Sequence, residues 1–128
     1  MKEDYVSFET AKLLKENGFD EDIDLWYDEN GEMFIHPKYD IGCNWRVKQG
    51  IKIYQCSTLQ MAMKWLRDIF HLEIYPFHDA IQENNDWWYR IERHSKGCSL
   101  LEHESNVIYK TYEEACEDAI KYCLKNLI

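Results

Sequence analysis

The chain has 128 residues, of which 45% are hydrophobic and 15% aromatic, with five Trp and nine Tyr. That length suits a single domain, 1–128, and that composition can bury a core, which excludes a disordered tail. The net charge is −9, from 24 acids against 15 bases, so direct nucleic-acid binding and adsorption to anionic membranes are poor expectations, since both need a basic footprint.

No apolar run approaches the length of a membrane span, and the opening "MKEDYVSFET" has no apolar export core. The five cysteines (Cys43, Cys56, Cys98, Cys116 and Cys123) are scattered and form no C-x-x-C pair. Free thiols in a reducing cytoplasm, no membrane partner and no cofactor are the expectations.

In chain order, the first element is a short helix. Ser7 caps it, Ala11 and Leu14 face inward, and Gly18 ends it with Phe19 folding back. "LWYDENGEMFIH" reads as a hairpin from Leu25 to His36 turning at Asn30-Gly31, because both turn positions tolerate positive φ. Residues 38–56 are the least regular part, with a short strand at 51–54. The second helix starts at Ser57, with Ser57 and Gln60 at capping-box spacing. Its apolar residues from Leu59 to Leu72 span an arc of about 200°. A second hairpin runs from about Glu73 to Ile81 and from Trp87 to His94, turning at Asn84-Asn85-Asp86, and Pro76 marks an edge strand or bulge. The segment "HSKGCSLLEHES" reads as a loop. The last helix, "TYEEACEDAIKYCLKNLI", has Thr111 and Glu114 as a capping box and leads with acids, which suits the helix dipole. The resulting expectation is an α+β domain with about four antiparallel strands in two hairpins and three helices mainly on one sheet face.

Three segments, "YVSFETAKLLKENGFDED", "TLQMAMKWLRDIFHLEI" and "YEEACEDAIKYCLKNLI", together resemble a set of small proteins of Bacteroides-type gut bacteria, their prophages and related phages. The resemblance covers these three segments, 52 of the 128 residues. It implies a bacterial cytoplasmic or phage-encoded accessory protein and carries with it no activity, cofactor or catalytic residue.

Several groups of residues have the right types for chemistry. His94, Cys98 and His103 suit zinc, with His78 as a fourth ligand, although the spacing matches no standard finger and the ordinary reading is a surface loop. Cys56 is the best thiol candidate, since it lies near a helix N-terminus, where the dipole favours a thiolate. Glu73, His78, Asp79, Glu92 and His94 are the candidates for acid/base work, against the ordinary reading of a solvated sheet face. No G-x-S-x-G, P-loop, G-x-G-x-x-G or H-E-x-x-H occurs.

Trp87, Trp88 and Tyr89 alternate along one strand, so at least one is an interface candidate unless both faces are covered. Gln60, Lys64, Arg67 and His71 form a basic stripe unusual in so acidic a chain, otherwise the wet side of a helix. The leading expectation is a non-enzymatic interaction or regulatory protein that binds an unknown protein partner or itself, as a homodimer through an edge strand. A small metal-binding protein or enzyme built on His94, Cys98 and His103 is the first alternative. The second is an acidic nucleic-acid mimic presenting Glu113, Glu114, Glu117 and Asp118.

Overall fold

The computed structural model describes residues 4–78 and 86–128. The chain forms two compact units, Met1–Thr58 and Leu59–Ile128.

The first unit comprises α1 (Phe8–Glu16), β1 (Leu25–Tyr27), β2 (Met33–Ile35), α2 (Ile41–Lys48) and β3 (Tyr54–Gln55). Ser7 caps α1 by accepting from the Thr10 amide at 3.2 Å. At the other end Gly18 takes φ +93°, the Phe19 amide donates back to the Leu14 carbonyl and the Gly18 amide to that of Lys15. This is the Schellman arrangement, and it buries Phe19 beside Leu14, as the sequence implies. The hairpin at Asn30-Gly31 forms, but Asp28 organises it: its carboxylate accepts the amides of Asn30 (2.8 Å) and Glu32 (3.0 Å). Gly31 is required there twice over, by φ +83° and by the Phe8 ring, which a β-carbon would meet at 3.0 Å. The strands pair antiparallel in the order β2-β1-β3. The short strand lies at Tyr54–Gln55 rather than 51–54, and the irregular middle contains a helix, α2, which the sequence reading did not include.

The second unit comprises α3 (Leu59–Phe70), β4 (Leu72–His78), β5 (Trp87–Ser95), β6 (Cys98–Glu104) and α4 (Tyr112–Tyr122), ending in a π-helical turn at Cys123–Leu127. The sheet order is β4-β5-β6, all antiparallel. Residues 79–81 of the expected strand, and Asn84 and Asn85 of its turn, lie outside the described residues. Leu72, Ile74, Tyr89 and Ile91 are buried on one face, beneath α3 and α4. From the helices, Leu66, Ala115, Cys116, Ala119 and Ile120 close the core. Fully burying one such Leu or Ile contributes roughly 1.5–3 kcal/mol.

The fold is therefore α+β, as expected, but the described residues hold six strands in two three-stranded sheets and four α-helices. The expectation of four strands in two hairpins and three helices fails at three places, the first being β3, which pairs with β1 as a third strand beside the first hairpin. β6 replaces the expected loop after a tight turn at Lys96-Gly97, where φ is +34° and +78°. α2 was missed because it has no apolar stripe and exposes both Trp45 and Val47. The capping box at the second helix also does not form. The helix begins at Leu59, the Ser57 hydroxyl donates to the Thr58 carbonyl at 2.7 Å, and Gln60 donates to Tyr112 Oη at 2.7 Å. Thr111 does cap α4, accepting from Glu114 N at 3.1 Å.

Candidate functional site

Strand alternation divides the residues of the second sheet between two faces. The face away from α3 and α4 carries Tyr75 and Phe77 from β4, and Trp88, Arg90 and Glu92 from β5. Phe77 lies directly opposite Trp88, and their rings stack at 6.2 Å with an interplanar angle of 24°. Arg90 lies opposite Tyr75, its guanidinium 4.9 Å from the Phe77 ring centre and 5.8 Å from that of Tyr75. Arg90 Nε also makes an ion pair with Glu92 at 2.9 Å. Four large side chains are thus held in one ridge by cross-strand and cation–π contacts, each worth of order 0.5–1 kcal/mol at an exposed site. All four are only half-buried. Burial, then Glu92 and Glu73, raise the Tyr75 phenol above its ordinary pKa, with Arg90 opposing.

Of the three consecutive aromatics, only Trp88 stands on this face. Trp87 points to the helical side, 5.3 Å from Tyr112 and 4.8 Å from His78, and bridges to Tyr109 through the backbone. Tyr89 is buried beside Tyr109, whose hydroxyl donates to Asp118. Desolvation pushes the Tyr89 phenol up to about 12. Sequence alternation correctly separates Trp88 from its neighbours. Tyr75, Phe77 and Arg90 were missed, although their parity with Trp88 across an antiparallel pair was the available signal.

The basic stripe divides. Lys64 and Arg67 border a groove of about 340 Å³ floored by Met63, Ile74 and Pro76, and Gln60 and Tyr112 close one end through their hydrogen bond. Arg67 makes ion pairs with Glu73 at 3.5 Å and Asp68 at 3.9 Å. His71 leaves the stripe: it ends the helix at φ +59°, and its carbonyl accepts from His94 N at 2.9 Å. It lines an open pocket at the β5–β6 turn together with His94 and Cys98.

His94, Cys98 and His103 do not converge. His94 is on the ridge face, 3.4 Å from Tyr75 Oη. Cys98 is exposed at the turn. His103 is opposite Ile91 on the helical face and stacks on Tyr122 at 3.7 Å. Among the described residues, no three His, Cys, Asp or Glu side chains are placed to hold a metal ion.

The remaining candidates are used in other ways. Cys56 is 1% exposed, too deep to meet a substrate. Burial pushes the Cys116 thiol up to about 11 and the Cys123 thiol up to about 12, the opposite of nucleophile activation. Glu73 and Glu92 are directly opposed, but each has its own arginine, and Asp79 lies outside the described residues. Among the α4 acids, Glu114 accepts from Lys110 N and Asp118 from Tyr109, so two of the four hold the preceding loop. In the first unit, a cavity of about 340 Å³ opens among Ala11, Phe19, Trp26, Val47 and Ile53. Its polar neighbours are committed within the fold: Lys15 to the Ile53 carbonyl, the Gln55 amide to Glu21, and Asp20 to Lys38.

Among the described residues, no helix is long and apolar enough to cross a membrane. In comparisons with known proteins, no family model, curated protein or solved structure matches this chain.

Proposed function

We propose that this chain is a small non-enzymatic interaction module, a cytoplasmic accessory or regulatory protein of bacterial mobile-element origin, and that it holds a protein partner on the ridge face of its second sheet. The observation that carries this reading is Trp88 stacked on Phe77 with Arg90 against Phe77 and Tyr75. Trp, Tyr and Arg dominate interface hot spots, and a ridge already fixed by its own contacts loses little side-chain entropy on docking. Buried, unactivated thiols and carboxylates already paired with arginine fit a binding role better than a catalytic one. The cytoplasmic assignment is supported by the free thiols of Cys56, Cys116 and Cys123, and the mobile-element origin by the resemblance of the helical segments. Arg67 and Arg90 are already matched to acids, which supports a protein partner over nucleic acid.

The test is affinity capture from the source cells with the wild-type chain and with Trp88→Ala and Arg90→Ala. A partner is expected with the wild type, its affinity falling about thirtyfold in each variant, as loss of a hot-spot residue implies. Equal recovery of the same proteins by all three chains, each folded by circular dichroism, would sink the reading.

A further inference from the structure

Protein interiors hold few voids larger than a water molecule. The first unit departs from that rule. Its cavity of about 340 Å³ is floored by the buried side chains of Ala11, Phe19, Trp26 and Ile53. A void of about 150 Å³ already takes a benzene ring, so this one has room for a ring with a short side chain. It also falls within the size range of natural ligand pockets, roughly 300–1,000 Å³. Its mouth is open: at Gly18 a β-carbon would meet nothing within 4 Å, and Val47 on the rim is 61% exposed.

The polar side chains around the cavity set the chemistry of a fitting molecule. The Trp26 indole N–H donates to the His36 carbonyl at 2.8 Å, and both ends of the Gln55 amide are engaged by the Glu21 backbone. Asp20 has its counter-ion, Lys38, at 2.8 Å. Lys15 differs. Its ammonium gives one of three protons to the Ile53 carbonyl at 3.1 Å and lies 5.0 Å from the centre of the Tyr54 ring. Among the described residues it pairs with no carboxylate. Because Ile53 is itself a wall, that hydrogen bond holds the ammonium at the edge of the cavity. The unmatched charge beside the apolar floor is therefore positive, in a chain whose net charge is −9. The complementary molecule has an aromatic body to lie against Phe19 and Trp26, and a single anionic end.

We propose that the first unit binds a small aromatic monocarboxylate in this cavity, with the ring against Phe19 and Trp26 and the carboxylate on Lys15. This goes beyond the ridge-face reading and does not depend on it, because it uses other residues and takes a small molecule in place of a protein.

Titration of the full isotope-labelled chain with phenylacetate, phenylacetamide and phenethylamine, followed by its amide and indole NMR signals, tests it. Phenylacetate should give saturable shifts at the residues around the cavity, the Trp26 indole N–H among them, with a dissociation constant of about 1 mM or lower. It should bind about fivefold tighter than the amide or the amine, the upper range for an exposed ion pair. Lys15→Gln should abolish that preference and leave the affinity for the amide unchanged. Val47→Trp, a change on the exposed rim, should close the mouth and weaken all three about tenfold. Trp88→Ala should bind phenylacetate as the wild type does, which separates failure here from failure of the ridge reading. No saturable shift at about 10 mM, shifts centred elsewhere, tighter binding of the amine, or a preference for the acid that survives Lys15→Gln would each overturn the proposal.

Discussion

Arg93→Ala should be among the most destabilising single changes at a partly exposed position of the second unit. Arg93 reaches three groups. Nη2 donates to the Leu127 carbonyl at 2.8 Å, Nε to Glu102 at 2.8 Å, and Nη1 points at the Phe70 carbonyl at 3.4 Å. Phe70 ends α3, and Leu127 ends the π-helical turn after α4, so one guanidinium serves two helix C-termini, where the carbonyls lack intrahelical donors and the dipole favours a cation. The Leu127 bond is worth about 1.5 kcal/mol, the low end for a charged hydrogen bond, since the arginine side chain is 36% exposed. The ion pair adds up to about 1 kcal/mol and the two helix ends a few tenths each, while the contact at 3.4 Å is too long to count. The total is about 2–3 kcal/mol, or roughly a 1–2 M fall in urea midpoint. Arg93→Lys keeps the charge but loses the fork, so it should recover about half. Urea titration followed by circular dichroism measures both. A stability for Arg93→Ala within about 0.5 kcal/mol of wild type, the range of an ordinary surface substitution, would refute the reasoning.

Gly31→Ala should cost about 2 kcal/mol in thermal melts, from a left-handed backbone with a β-carbon and from the displaced Phe8 ring. Alkali should weaken the fold. Cys116 and Cys123, ordinarily near 9, are pushed up to about 11 and about 12 in the native state, and Tyr89 to about 12. Their native pKa values are raised, so their contribution is complete below pH 9 and is lost as pH climbs towards 12, because the unfolded chain gives up these protons first. Urea midpoints should therefore fall steadily above pH 9, and a flat profile to pH 10.5 would contradict the burial of these groups.

The elements legible in the sequence were those where one local signal acted alone. Ser7 and Gly18-Phe19 mark both ends of α1 because capping chemistry needs no tertiary context. The order Trp87, Trp88, Tyr89 separated correctly because strand geometry alone sets alternation. β6 was not legible: Leu100 and Leu101 are both exposed, so the strand shows no buried period. Met61 and Ile69 misled in the same way, widening the apolar arc of α3 although both are exposed. Ser57 and Gln60 had cap spacing, but Tyr112, far along the chain, took the Gln60 amide. The ridge required the register of Phe77 against Trp88, a long-range fact that Pro76 and the irregular charges of β4 obscured.

The pairing of the two sheets implies different routes to the folded chain. In the second unit each strand pairs with its neighbour in sequence, β4 with β5 and β5 with β6. Every pairing in that sheet joins strands adjacent in sequence, with little loop-closure entropy to overcome at any step. In the first unit Val6 N donates to Ser57 O, and Tyr5 bridges Thr58. Its first described residues are joined to its last, so this unit closes only when some fifty residues have been gathered at once. On topology alone, the first unit is the slower to mature and the second the faster.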